Sequence, residues 1–207
     1  MTLLLPMKNK PRLITVIAGL GTLVGLVATG CGTVRAGYES APYKVVRSDG
    51  KFELRDYLAL TVVETPMARG GNRSDGSFNR LFRFISGGNE ARQKIAMTTP
   101  VFMSGGATNA TMAFVMPAKM MTGEVPKPLD GNVTVGELAG GRFAVLRFSG
   151  GRSAKKEAES LERLRAWMKT EGLKELSPPV YGYFDPPWTP AFLRRNEVML
   201  RTGAAKR

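Results

Sequence analysis

The chain reads as an α+β protein built from two copies of one strand, helix, strand, strand unit, and three observations predict this. A single offset of 85 residues carries four segments of the chain onto four others: Leu58-Ala59-Leu60 onto Phe143-Ala144-Val145, the first helical stretch onto Arg163 to Thr170, Lys94-Ile95-Ala96-Met97 onto Pro179-Val180-Tyr181-Gly182, and Thr111 to Met116 onto Asn196 to Arg201. Two stretches place apolar residues at helical spacing and end at glycine. Two alternating runs, Tyr43 to Arg47 and Phe52 to Tyr57, flank Ser48-Asp49-Gly50 as a hairpin signal. Two copies are too few for a solenoid, so the repeat predicts a pseudo-twofold unit with one core.

The elements follow in order. Residues 1–30 carry Lys8, Lys10 and Arg12 ahead of an uncharged apolar stretch, Leu13 to Thr29, which ends in small residues before Cys31. That is the plan of a secretory leader. Cys31 after Gly30 resembles a bacterial lipobox, in which the thiol is lipidated. Ala28 stands where that pattern prefers leucine, and an uncleaved signal anchor or simple secretion are the alternatives. Met7 is an alternative start. Residues 31–42 are small and polar and suit a tether. The folded domain is expected over 43–203.

Within it, Leu58 to Val63 continues as a β-rich run. Ser77 to Ile85 sets Phe78, Leu81, Phe82 and Ile85 at helical spacing, with Ser77 as candidate N-cap and Gly87-Gly88 as the stop. Met120 to Asn132 is a long irregular loop that holds the seam between repeats. Ser153 to Thr170 is the second helix, with Leu161, Leu164, Trp167 and Met168 on one stripe and Gly172 after it. Tyr181 to Leu200 is strand, then a loop stiffened by Pro186, Pro187 and Pro190, then a basic strand.

Composition narrows the chemistry. The 207 residues hold no histidine and a single cysteine, at net charge +13. Histidine-based acid/base chemistry, His-ligated zinc or haem, an internal disulfide and Ser-His or Cys-His nucleophiles are excluded. No carboxylate pair forms an acid/base or EF-hand pattern, and Gly70-Gly71 and Gly87-Gly88 lack phosphate-loop context. The basic surplus favours anionic partners. With no helix-turn-helix segment, no nucleic-acid partner is expected.

Two motifs carry a resemblance. Lys94-Ile95-Ala96-Met97-Thr98-Thr99-Pro100-Val101 and the stretch Asp185-Pro186-Pro187 to Arg194-Arg195-Asn196-Glu197-Val198 resemble the SOUL family of haem-binding proteins, over roughly Tyr43 to Leu200. The resemblance implies a distorted antiparallel β-barrel with the two helices flanking it. It also implies haem or a related porphyrin as ligand, bound without catalysis. Family members often read Tyr-Asp-Pro-Pro where this chain has Phe184 before Asp185, and some use a histidine ligand that is absent here.

A flat apolar ligand with anionic groups needs an apolar cleft rimmed by aromatics and cations. The candidates are Phe78, Leu81, Phe82, Arg83 and Ile85 on the first helix, with Arg80 beside them, Met97 and Met103 with Met112 and Met116 on strands, and Tyr183, Trp188 and Phe192 around the proline loop. For each helix residue and methionine taken singly, a place in the core is the competing role. Alternation would send Tyr183 and Phe184 to opposite faces. It puts Arg194 with Asn196 and Arg195 with Glu197, where the guanidiniums can satisfy loop carbonyls and cross-strand partners. The expectation is therefore a lipoprotein of the bacterial cell envelope, facing the periplasm and held at the outer membrane through lipidated Cys31, that sequesters or carries a tetrapyrrole not ligated by histidine. The alternative is an envelope interaction protein whose basic face contacts anionic lipid or a protein.

Overall fold

The computed structural model describes residues 34–35, 37–68, 75–105, 109–121 and 123–203. The leader and Cys31 lie outside them. Strands β1 (Val34–Arg35), β2 (Tyr38–Ser40) and β6 (Thr98–Thr99) form a small sheet. The main sheet holds β3 (Lys44–Asp49), β4 (Phe52–Tyr57), β5 (Leu60–Pro66), β7 (Val101–Ser104), β8 (Thr111–Val115), β9 (Thr134–Leu138), β10 (Gly141–Ser149), β11 (Val180–Tyr183) and β12 (Arg195–Arg201). Its order is β3-β4-β10-β12-β11-β7-β8-β5-β9, antiparallel throughout and curled into a half-barrel. Helices are α1 (Ser77–Ile85), α2 (Ala118–Met121) and α3 (Ala154–Thr170).

The order is a palindrome about the β11–β7 pair. To either side lie β12 and β8, then β10 and β5, then β4 and β9. The two halves are thus the two repeats, with one exchange: β4 precedes β5 in the chain yet pairs with β10, and β9 precedes β10 yet pairs with β5. The chain crosses itself where 57–60 passes 138–141. Gly140 permits this, because a Cβ there would sit 2.7 Å from the Ala59 nitrogen and 2.8 Å from the Tyr57 oxygen. Gly50 makes the β3–β4 turn at φ 59, a left-handed conformation that glycine adopts without penalty.

Three cores follow from the layering. On the outer face, Leu81, Phe84 and Ile85 of α1 pack on Val63, Met103, Met112 and Phe114, and Leu164, Trp167 and Met168 of α3 pack on Ala144, Leu146, Val198 and Leu200. The inner face buries Tyr57, Leu60, Val62, Phe102, Val145 and Met199. Each buried large apolar side chain contributes about 1.5–3 kcal/mol. Strands covered on both faces read as continuous apolar runs, such as Val198-Met199-Leu200, and do not alternate.

A buried ion cluster shares the inner face. Arg55 donates to both carboxylate oxygens of Glu197, at 2.8 and 2.9 Å, to Glu53 at 2.6 Å and to Tyr57 at 3.0 Å. Arg195 adds bonds of 2.9 and 2.6 Å to Glu197 Oε1. Burial works to raise the Glu197 pKa; the hydrogen bonds and charges of Arg55 and Arg195 outweigh it and hold the carboxyl below its ordinary value. The strand alternation of Arg195 with Glu197 holds: Glu197 finds Arg55 across the sheet, and Arg195 bonds Glu197 on its own strand and the Tyr43 hydroxyl at 3.1 Å.

Several expectations are corrected. Tyr38–Ser40, read as tether, is strand β2, which pairs in parallel with β6; Ser40 and Thr99 hydroxyls lie 2.9 Å apart. Lys94 to Met97 is not a strand, and the counterpart of β11 is β7, so the offset of 85 fails for that element. The helix begins after Gly76 without a serine cap. Ser77 is buried with its hydroxyl on the Met112 sulfur at 3.7 Å, and Asp75 accepts the Ser77 amide at 2.9 Å. Strand β3 is exposed along both faces because it is a sheet edge.

Candidate functional site

Extended backbone from Met97 to Met103 presents every second side chain to one place. Met97, Thr99, Val101 and Met103 all line a cleft of about 410 Å³ on the outer face. Its other walls are Phe78, Asn79 and Phe82 of α1, Met112 of β8, Tyr38 of β2, and Tyr183 to Trp188. The cleft therefore lies over the β7–β11 seam, between α1 and the proline loop. Its size falls in the range of small-molecule sites.

Of the residues singled out from sequence, Phe78, Phe82, Met97, Met103, Met112, Tyr183 and Trp188 come together here, while Met116 is in the core. Leu81 and Ile85 belong to the core beneath α1. Helical geometry explains the split: the apolar stripe is wide, so Leu81 points at the sheet while Phe78 and Phe82, stacked at 6.0 Å, lie along its margin. Arg83 is turned away, against Gly88, Pro128, Leu129 and Asp130. Arg80 is also committed, to Thr65 Oγ1 at 2.9 Å and the Pro66 carbonyl at 2.6 Å. Phe192 is 76% exposed and outside the cleft. The expected rim of cations is not formed by the lining residues, which include no lysine or arginine.

Tyr183 and Phe184 both line the cleft, against the alternation, because β11 ends at Tyr183 and the chain turns. The Tyr183 hydroxyl donates to Glu157 Oε1 on α3, and Arg152 approaches the same carboxylate at 3.3 Å. Burial, together with the Glu157 hydrogen bond and charge, pushes the phenol well above its ordinary value, so it stays protonated at neutral pH. The Phe184 ring lies 4.2 Å beneath the Arg195 guanidinium.

The proline loop is held from within. Arg194 donates to the Thr189 carbonyl at 2.7 Å and to the Pro187 carbonyl, and Asp185 accepts the Arg195 amide at 2.6 Å. Thr189 N bonds the Pro186 carbonyl at 3.1 Å, and a 3-10 turn, Ala191–Leu193, closes on Pro190. These bonds match the loop-bracing role read for Arg194, and Asp185 braces the loop's start against Arg195.

Sequence reasoning did not place Tyr38, Asn79, Thr99, Val101, Phe184 and Asp185 to Pro187 in the cleft. A signal existed for some of them: Tyr38 is the one large aromatic in an otherwise small, polar stretch, and the period of two from Met97 to Met103 is written in the chain. Asn79 carried no such signal.

The residues fit a porphyrin in part. Phe78, Phe82, Phe184 and Trp188 offer apolar faces to a planar ring. Phe82 is 50% and Trp188 76% exposed, so both have surface to cover. For iron, Met112 already accepts the Ser77 hydroxyl and Met103 is 8% exposed, which leaves half-buried Met97 as the more accessible sulfur. No cluster of metal-ligating histidine, cysteine, aspartate or glutamate exists among the described residues. The ring carboxylates would meet solvent and the general positive field, with no paired arginine in the wall.

A curated relative, heme-binding protein 2 of Homo sapiens, is 28% identical over 172 residues, 77% of this chain and 82% of its own. Among solved structures, the EcmrR C-terminal domain superposes with a TM-score of 0.51 at 12% identity, covering 73% of this chain and 96% of its own. A hydrolase from Listeria innocua superposes with a TM-score of 0.53 at 10% identity, covering 76% and 94%. At such identities these two share the fold alone. The family model described as SOUL heme-binding protein matches residues 38–201, from the strand that walls the cleft to the end of β12, and the chain belongs to that family.

Proposed function

We propose that this protein binds haem or a related porphyrin in the cleft between α1 and the proline loop, and sequesters or carries it without transforming it. The observation that carries the reading is a rigid apolar cleft whose walls, Phe82 and Trp188, keep broad exposed surfaces at its mouth. The aromatics and methionines hold the ring by burial and dispersion; Asn79, Thr99 and Tyr38 supply polar contacts at the edge. A bound haem would bring redox-active iron, with Met97 the sulfur best placed to approach it. Titrating the protein with hemin is expected to give a saturable Soret shift at micromolar protein. Absence of saturation sinks the proposal, and wild-type affinity in both Met97→Ala and Trp188→Ala discredits this cleft.

The leader completes the reading. We infer export and attachment at Cys31, supported by Lys8, Lys10 and Arg12, the apolar stretch 13–29 and the small residues before the cysteine. No helix among the described residues is long and apolar enough to cross a membrane. Gly32 after the cysteine favours the outer membrane, with the domain facing the periplasm. Palmitate labelling in a bacterial host that is unchanged by Cys31→Ser would overturn lipidation at that residue.

A further inference from the structure

We propose that the proline loop is a membrane-docking finger: it seats Trp188, Phe192 and Leu193 in the interfacial layer of an anionic bilayer, so that the cleft opens against lipid. This rests on the lipid-anchor reading for its orientation, while the finger itself stands on the loop.

The loop exposes three large apolar side chains in six residues, Trp188 at 76%, Phe192 at 76% and Leu193 at 58%. None of them joins any of the three cores. A pliant loop would fold such residues inward. Here Pro186, Pro187 and Pro190 fix φ, and Arg194 ties down the carbonyls of Pro187 and Thr189 from inside the loop. The exposure is therefore built in, and it costs hydration free energy until something apolar covers it.

A bilayer interface fits that requirement better than a protein surface for three reasons. Tryptophan combines a large apolar ring with an N–H and concentrates at membrane interfaces. Of the net charge of +13, Lys8, Lys10 and Arg12 of the leader supply only three, so the chain from Cys31 onward remains strongly basic and is drawn to anionic headgroups. The covalent route to the membrane is also short. Tyr38, a wall of the cleft, follows Cys31 by seven residues, which extend to about 25 Å at most. An acyl chain on Cys31 would thus hold the cleft, and the finger beside it, near the lipid surface. Trp188 belongs to both finger and cleft wall, so an apolar ligand dissolved in the bilayer reaches the site without crossing water.

The test uses the full chain on vesicles with and without anionic lipid. Trp167 is 8% exposed, hydrogen-bonded to Asp49 and stacked on Phe52, so Trp188 is the responsive fluorophore. On anionic vesicles its emission is expected to shift to the blue, to lose access to acrylamide, and to be quenched by lipids brominated near the headgroup. The effects should weaken on zwitterionic vesicles. The double substitution Phe192→Ser and Leu193→Ser should abolish the quenching yet keep the hemin titration, since neither residue lines the cleft. A chain that floats with vesicles while Trp188 stays accessible to acrylamide overturns the finger and leaves the anchor standing. Undiminished quenching in the double variant also overturns it, as does quenching lost only when a soluble protein partner is added. Absence of hemin binding in the unsubstituted chain, with its quenching on anionic vesicles intact, would instead count against the ligand reading and leave the finger standing.

Discussion

The two halves of the sheet carry one architecture and end with different surfaces above it. In the second half, α3 fills the space over its strands with Leu164, Trp167 and Met168, and its first turn reaches as far as the seam, where Glu157 meets Tyr183 of β11. In the first half, α1 starts at Ser77, which the offset of 85 matches to Glu162. Helix α1 is thus nine residues long where α3 has seventeen. The cleft lies on α1's side of the seam. The pseudo-symmetry is broken at the candidate site: the longer helix covers its strands, and the shorter one places Phe78 and Phe82 in the cleft wall.

The largest effects should appear where the halves are fused. Arg55→Ala removes the two-pronged partner of the buried Glu197 carboxylate and leaves it Arg195 alone; it is expected to cost about 3 kcal/mol in chemical denaturation, with hemin binding lost only through unfolding. The same pair predicts acid sensitivity. Because the Glu197 pKa is depressed in the folded state, its contribution is present above the ordinary value of 4.5 and disappears as pH falls through the folded value. Thermal unfolding midpoints that stay level from pH 7 to well below 4.5 would contradict that.

Next come the two helices. Leu164→Ala and Leu81→Ala should each destabilise by about 2–5 kcal/mol, since both are fully buried. By contrast, Phe82→Ala should change stability by less than about 1 kcal/mol and weaken hemin roughly tenfold, because half of that ring already faces water. If Phe82→Ala unfolds the protein as readily as Leu81→Ala, the open half is no more open than the filled one. The smallest effect is expected from Tyr183→Phe. A phenol held protonated by Glu157 is a poor iron ligand, so the Soret position should not move and only the Glu157 hydrogen bond is lost, for about 1 kcal/mol. A shifted Soret band in this variant would show that the hydroxyl takes part.

Much of this was legible in the chain. The two helices and the proline loop are local patterns, fixed by spacing and by proline chemistry, and they appear where the sequence places them; the repeat does so except at Lys94 to Met97. The site was legible for residues with a reason to stand out: Phe78 and Phe82 on a helix margin, Trp188 among prolines. It was not legible for Leu81 against Phe82, adjacent and both apolar, because a rotation of about 100° around the helix decides between core and cleft and only the neighbouring strands fix its zero. Arg83 and Arg80 failed for a related reason: a free cation and a committed one look alike until the carbonyls around them are placed.

The sequence by itself determined the first hairpin, the two long helices, the proline loop and the absence of histidine chemistry, since these depend on residue identity and near neighbours. Tertiary structure alone decided the exchange of β4 and β9 between the halves, the pairing of Arg55 with Glu197 across 142 positions, and the capture of Tyr38 into the cleft wall. Those choices are contacts between segments far apart in the chain, and their energy exists only once both partners have been brought together.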